Sequence, residues 1–131
     1  MLRRFDMAEL KLTPETQQIL IELQTFQQQM QTVLMQKESL NIQNMELDKA
    51  LEELKKATTE DVYKAVGPIL IKSTKKDLEK ELSEKKETIE LRLKSLQKQE
   101  DRIKEKLKDV QGKFEDFLKS SQDKSESAEA E

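Results

Sequence analysis

The side chains of this chain that could do chemistry are carboxylates, ammonium and guanidinium groups, and a single Tyr. The sequence has 24 Lys and Arg and 27 Asp and Glu, but no Cys and no His. Thiol nucleophiles, disulfides, the usual zinc sites and His-based acid–base catalysis are therefore excluded. The one Gly-Lys step, Gly112-Lys113, lacks the glycine run of a phosphate loop and falls on a helical pattern. The sequence predicts no enzyme, no metal site and no cofactor.

The many charges are most simply the solvated faces of long helices. Charged residues make up 39% of the chain and aromatic residues 4%, with two Gly and two Pro, which is typical of coiled coil. The net charge of −3 disfavours nucleic acid as a partner, because phosphate binding needs a basic surface. No apolar run approaches the ~20 residues of a membrane helix. We therefore expect neither nucleic acid nor a membrane as a partner. The absence of Cys agrees with the expected cytoplasmic location.

Two helices are predicted to carry these charges, one over residues 13–57 and one over residues 75–118. Thr13 is a good N-cap with Pro14 in the first turn, and Ser73 or Thr74 caps the second helix. Apolar residues alternate at spacings of four and three over five heptads, which indicates a coiled-coil seam. The seam positions are Ile19, Leu23, Phe26, Met30, Val33, Lys37, Leu40, Asn44, Leu47, Leu51 and Leu54, then Leu82, Lys86, Ile89, Leu93, Leu96, Glu100, Ile103, Leu107, Val110, Phe114 and Phe117.

The two seams are equal in length, so the helices are predicted to pair antiparallel. This pairing places Leu54 near Leu82 and Ile19 near Phe117. Four polar residues occupy one heptad position, where they cost stability but fix register; they are Lys37, Asn44, Lys86 and Glu100. Lys37 and Glu100 either form an ion pair or both extend to solvent.

Residues 58–74 interrupt the helical pattern with β-branched residues around Gly67-Pro68, which predicts one β-hairpin. An isolated hairpin is marginal in water and its open edges invite further strands. We therefore predict an assembly site in a multi-chain β-barrel; the alternative is that residues 69–71 pack beneath the helix–helix turn. The predicted assembly residues are Val62, Tyr63, Val66, Gly67, Ile69, Leu70 and Ile71. One face is expected to carry Val62, Lys64, Val66, Leu70 and Lys72, and the other Tyr63, Ala65, Ile69 and Ile71.

The two ends of the chain fall outside the seams. Residues 1–12 are predicted to be a flexible extension. Residues 119–131 have no large apolar side chain to bury, which predicts a disordered acidic tail.

The hairpin sequence "VYKAVGPILIKST" is flanked by "LQTFQQQMQ" in the first helix and "ETIELRLKSLQKQEDRIKEKLKDVQ" in the second. From about Thr13 to Leu118 the chain resembles a prefoldin beta subunit of the archaeal type (the GimC chaperone family). The resemblance implies an all-α coiled coil with a small β element, and assembly of two alpha and four beta subunits through their hairpins. It also implies an ATP-independent holdase that captures unfolded proteins at its coiled-coil tips and transfers them to a group II chaperonin.

Client contact is expected where the outer ends of both helices meet. The candidate residues are Ile19, Leu20, Ile21, Leu23, Phe114, Phe117 and Leu118. If the last heptad splays apart, they form an apolar groove without a defined shape; alternatively, Ile19, Leu23, Phe114 and Phe117 close the seam as core. On the resemblance, nearby charges such as Lys113, Glu115, Asp116 and Lys119 would contact the chaperonin. The competing function is a coiled-coil scaffold or tether, which gives the hairpin no role.

Overall fold

The computed structural model describes the backbone of residues 13–129 and the side chains of residues 13–120. Helix α1 spans Pro14–Lys56, strand β1 Asp61–Val66, strand β2 Ile69–Thr74 and helix α2 Lys75–Glu129. This order confirms the predicted fold, two long helices joined by one β-hairpin. No helix in the described range is both long and apolar enough to cross a membrane. The predicted extension, residues 1–12, lies outside the described residues.

Both helices begin at threonine caps. The Thr16 N–H donates to the Thr13 hydroxyl at 3.2 Å, and the Asp77 N–H donates to the Thr74 hydroxyl at 3.1 Å. Each bond satisfies one of the amide groups that a first helical turn leaves without a partner. Thr74, and not Ser73, is thus the cap of α2. Because Thr74 is also the last residue of β2, the strand passes directly into the helix.

Helix α2 extends beyond its predicted end at Leu118 and reaches Glu129. The backbone of residues 119–129 thus continues the helix, while the disorder of the acidic tail stays a prediction. The seam does end near Phe117, but the end of an apolar pattern does not end a helix by itself. The segment from 119 to 129 has neither Gly nor Pro, and its Lys, Gln, Glu and Ala residues favour helix.

The chain divides into two compact units, each built from parts of both helices. Among the described residues, the terminal unit comprises 13–32 and 99–129, and the hairpin unit comprises Val33–Lys98. In the hairpin unit, Lys37 Nζ donates to Gln97 Oε1 at 2.7 Å and Lys86 Nζ donates to Asp48. Asp48 follows Lys37 along α1 by the same number of residues by which Lys86, its partner, precedes Gln97 along α2. The two helices therefore run antiparallel.

The terminal unit shows the same direction of pairing. The ammonium group of Lys106 lies 5.5 Å from the centre of the Phe26 ring, a cation–π distance. Continuing this register one heptad towards the start of α1 brings Ile19 level with Lys113 and Phe114. Phe117 is then about one helical turn away.

Burial confirms the seam, because every predicted seam position is buried or half-buried. The most buried apolar residues of the hairpin unit are Val33, Leu54, Ile89 and Leu96, and those of the terminal unit are Ile103 and Val110. Burying an aliphatic side chain of this size stabilises the folded state by about 1.5–3 kcal/mol. The seam is therefore the main source of stability within each unit.

The polar residues of the seam differ in their partners and in their burial. Lys86 pairs with Asp48, and this hydrogen bond raises the pKa of Lys86. Glu100 is only 6% exposed and lies 3.9 Å from Lys104, one turn further along α2. The Oδ1 atom of Asn44 is buried and accepts no hydrogen bond from the described residues. The ion pair between Lys37 and Glu100 remains a prediction.

Candidate functional site: the hairpin and the apolar helix ends

The turn of the hairpin depends on glycine. Val66 pairs with Ile69, so Gly67 and Pro68 alone form the loop. Gly67 has φ +59, a left-handed conformation that L-residues adopt at a cost. A two-residue loop with glycine first fits a type II′ turn, whose twist matches that of paired strands. Pro68 suits the second position, where φ is negative. The Gly-Pro step thus fixes the strand register.

This register corrects the predicted faces of the hairpin. Cross-strand partners lie on the same face, and the partners include Val66 with Ile69, Lys64 with Ile71 and Ala65 with Leu70. The sequence prediction placed the even-numbered residues of both strands on one face. A two-residue loop instead pairs each even-numbered residue of β1 with an odd-numbered residue of β2. One face therefore carries Val62, Lys64, Val66, Ile69, Ile71 and Ser73, and the other carries Asp61, Tyr63, Ala65, Leu70, Lys72 and Thr74.

Both faces expose large apolar side chains. Leu70 is 70% exposed and Tyr63 63% on one face, while Ile69 is 61% exposed on the other. Val66 and Ile71 are also exposed, and of the predicted assembly residues only Val62 is half-buried. Residues 69–71 thus do not pack beneath the helix–helix turn in this chain. Isolated two-stranded hairpins are marginal, so this surface calls for a partner.

The hairpin is anchored at the end nearest the helices. Lys64 forms an ion pair with Glu81 of α2, and the hydrogen bond from Lys64 lowers the pKa of Glu81. On the same face, Val62 and Ser73 are half-buried. The tip of the hairpin has no such support, so its exposed residues stand clear of the rest of the hairpin unit.

Lys75 joins the three elements of this junction. Its Nζ lies 3.3 Å from the carbonyl oxygen of Lys55 and 3.2 Å from that of Ala57, and its backbone N–H donates to Glu60 at 2.9 Å. Carbonyl groups at the end of a helix lack intrahelical donors and carry partial negative charge, so an ammonium group there is stabilising. The first residue of α2 thus caps the end of α1. Sequence reasoning missed Lys75 and the pair of Lys64 with Glu81, because both depend on the path of the connection.

The predicted client residues all lie in the terminal unit. Ile21 is 56% exposed, Leu118 is also exposed, and Leu20 is half-buried. The four predicted seam members are half-buried rather than closed off, namely Ile19, Leu23, Phe114 and Phe117. The antiparallel register brings Ile19 and Phe114 to one level. Their side chains therefore retain accessible surface beside the exposed Ile21 and Leu118.

The fold and the hairpin define a class of protein. It is a subunit in which a two-helix antiparallel coiled coil carries an apolar, unpartnered β-hairpin that suits it for assembly. A family profile described as "Prefoldin subunit" matches residues 17–121.

Sequence and structure comparisons narrow this class. The chain is 44% identical over 109 residues to the prefoldin subunit beta of Archaeoglobus fulgidus, which covers 82% of this chain and 94% of that protein. It is 41% identical to the subunit of the same name from Pyrococcus furiosus, over 82% of this chain and 93% of the relative. The crystal structure of the prefoldin beta subunit from Thermococcus strain KS-1 superposes with a TM-score of 0.75 at 37% identity, covering 83% of this chain and 96% of that one.

The chain belongs to the prefoldin family, and the resemblance to beta subunits is confirmed. Prefoldin subunits are chaperones rather than enzymes, and they form hetero-oligomers with other prefoldin subunits.

Proposed function

We propose that this chain is the beta subunit of a cytoplasmic, ATP-independent holdase, which captures unfolded proteins at its coiled-coil tips. The observation that carries the proposal is the hairpin, whose exposed apolar side chains on both faces fit partner strands. The assembly would contain two alpha and four beta subunits, joined through a β-barrel. The captured chain would then pass to a group II chaperonin, with Lys113, Glu115, Asp116 and Lys119 at the contact.

Assembly through the hairpin follows from what a partner strand offers. Each edge of β1 and β2 carries backbone N–H and C=O groups that another strand satisfies. Burying Leu70 or Tyr63 against a neighbour removes from water a side chain that is now about two-thirds exposed. A fully buried side chain of this size contributes about 1.5–3 kcal/mol. Several such contacts per interface favour a stable complex.

Capture at the tips requires no strong individual site. Ile21 and Leu118 offer exposed apolar surface beside half-buried seam residues such as Phe117. Several tips on one body would bind a single unfolded chain at many weak points, and the high local concentration after the first contact provides the avidity. No step in this mechanism uses a nucleotide.

Absolute mass from light scattering, for this chain alone and mixed with an alpha-type prefoldin subunit, tests the assembly. A discrete complex near six chains, containing both types, is expected. The variant Leu70→Thr keeps strand propensity but removes an exposed apolar side chain, so we expect assembly to weaken by about tenfold or more. The matched control is Lys72→Thr, on the same strand and face, whose 3.6 Å ion pair with Asp61 is exposed and contributes little.

A coiled-coil tether is the competing function, and the same measurement separates the two. A tether predicts a simple dimer that ignores the alpha subunit and tolerates Leu70→Thr. Client capture is tested by suppression of aggregation of a denatured protein without ATP. The double variant Ile21→Ser, Leu118→Ser is expected to reduce it while leaving the complex mass unchanged.

A further inference from the structure

A second apolar surface lies on α1, in the hairpin unit and away from the seam. It consists of Leu34, Met35, Ile42 and Met45, which we call the outer stripe. At 3.6 residues per turn, these four residues fall within an arc of about 100° on the helix. Met35 is 65% exposed and Met45 63%, and Leu34 and Ile42 are also exposed. The arc does not overlap the seam positions, so pairing with α2 leaves it uncovered.

The surroundings of the outer stripe are poor in charge. Residues 23–36 of α1 contain no charged side chain, and Gln is frequent among them. Within the stripe itself, from Leu34 to Met45, only Lys37 and Glu38 are charged; Lys37 occupies the seam, whereas Glu38 lies within the arc of the stripe. Leu91 on α2 provides the contrast, because it is equally exposed at 61% but has a charged residue one turn away on each side, Glu87 and Lys94. A partner of the stripe therefore meets one charge inside the arc, Glu38, and otherwise apolar side chains.

The chemistry of the stripe favours a partner without a fixed shape. The methionines among the described residues are Met30, Met35 and Met45, all on α1. Methionine is flexible and polarisable, and surfaces that bind diverse partners use it for this reason. Neighbouring Gln side chains can both donate and accept hydrogen bonds, so they suit the backbone of an extended chain.

The area of the stripe argues against a folded partner or a second copy of this chain. Four partly exposed side chains present a patch within the roughly 300–600 Å² that an ordinary monomer can expose. Each partner of a stable complex buries roughly 800 Å². The stripe alone falls short of that area, but it is sufficient for one weak contact among several.

We propose that the outer stripe is a second contact surface for unfolded polypeptide, selective for uncharged apolar segments. The inference rests on the proposed chaperone function and assigns residues outside the predicted tip. In a multi-point capture, the stripe holds a part of the client that the tips do not hold. The affinity gained comes from avidity, so removing the stripe weakens capture without abolishing it.

The chain has no Cys, so one introduced Cys can carry a photo-crosslinker at a unique site. The variants are Met35→Cys in the stripe, Leu91→Cys as the equally exposed control, and Ile21→Cys at the proposed tip. Each is assembled with alpha subunits and illuminated with a reduced, carboxymethylated small protein that remains unfolded. We expect crosslinking at Met35 at least several-fold above that at Leu91, together with crosslinking at Ile21.

The outcomes separate the two proposals. Crosslinking at Ile21 with Met35 no higher than Leu91 overturns the stripe and leaves the chaperone function intact. Crosslinking at none of the three sites counts against the chaperone function, and the inference is lost with it. Crosslinking of Met35 to another prefoldin chain instead of the client also overturns the inference, since the stripe would then be a subunit interface.

Substitution provides a second measurement. Replacing all four stripe residues by Gln keeps helix propensity close to that of Leu and Met. We expect the affinity for the unfolded protein to fall about fivefold to tenfold, a loss comparable to that of one modest contact in a multi-point complex. The single variant Leu91→Gln is expected to bind as the wild type does. Equal affinity of the fourfold variant and the wild type, at unchanged complex mass, would refute the proposal.

Discussion

Substitution by Ala is expected to have opposite effects on stability at the two glycines of the chain, Gly67 and Gly112. At both Gly67 and Gly112, a Cβ atom would meet no other atom within 4 Å. Neighbouring atoms thus neither oppose nor reward the added methyl group, and backbone conformation decides the result. Gly67 has φ +59 in the turn, whereas Gly112 lies within α2.

The magnitudes follow from these conformations. An L-residue in the left-handed region costs roughly 1–2 kcal/mol, so Gly67→Ala should destabilise the hairpin by about 1 kcal/mol after allowing for the stiffer unfolded chain. In a helix interior, Ala is better than Gly by about 0.8–1.0 kcal/mol. Gly112→Ala should therefore stabilise the protein by about that amount.

Urea unfolding followed by circular dichroism measures the stabilisation expected for Gly112→Ala. A gain of about 1 kcal/mol corresponds to a midpoint higher by roughly 0.3–1 M, because typical slopes are about 1–3 kcal/mol/M. Hydrogen exchange of the amides in β1 and β2 measures the destabilisation of the hairpin by Gly67→Ala. A loss of about 1 kcal/mol should make this exchange roughly fivefold faster. All variants need the same protein concentration, since assembly shifts apparent stability. Unchanged or slower hairpin exchange in Gly67→Ala would contradict the type II′ turn, and a lower midpoint for Gly112→Ala would contradict open space beside α2.

Three further changes test other parts of the structure. The pKa of Glu81 in the folded state lies below its ordinary value of 4.5. The pair with Lys64 therefore stabilises the folded state above pH 4.5, and this stabilisation is lost as the pH falls through the folded pKa. The urea midpoints of the wild type and Glu81→Gln should differ at pH 7 and converge in acid. Lys75→Met removes two contacts to carbonyl groups at the end of α1, so it should lower the free energy of unfolding in urea by about 1 kcal/mol. The control Lys76→Met changes an exposed position and should leave the free energy of unfolding unchanged. Asn44→Leu removes a buried oxygen without a donor, so it should raise the free energy of unfolding by about 1 kcal/mol, and the urea midpoint with it. Mass measurements report any change in assembly that a loss of register would cause.

The seam could be predicted from sequence because its cause is local. A spacing of four and three along a 3.6-residue helix puts apolar side chains on one stripe, and the stripe must be buried whatever the partner. Even Glu100, a carboxylate at a seam position, is nearly inaccessible. From the sequence, both pairing with Lys37 and extension to solvent were open for Glu100, and its burial excludes extension to solvent. The threonine caps were equally predictable, since Thr13 and Thr74 each stand at the start of a helical pattern.

The errors arose where a feature depends on counting or on contacts through space. The faces of the hairpin depend on whether its loop has an even or an odd number of residues, and hydrophobicity carries no such information. The end of α2 was placed where the apolar pattern stops, although helix propensity continues to Glu129. The anchoring contacts of Lys64 and Lys75 depend on how the connection approaches the helices.

The positions of the charges and of the exposed apolar residues support the proposal that this hairpin binds strands of other subunits rather than its own helices. Near the junction, the apolar residues of the two helices lie in the seam, as Leu54 and Leu82 do, so they are not available to the hairpin. The outer stripe of α1 belongs to a different part of that helix from the junction at Lys55. At the base of the hairpin, Lys64 satisfies its charge with Glu81, which holds that end against α2. Leu70 and Ile69, on opposite faces beyond this anchor, can be covered together only by protein on both sides. Strands of neighbouring subunits, added at the edges and closing around one face, meet that requirement with backbone hydrogen bonds as well as apolar contact.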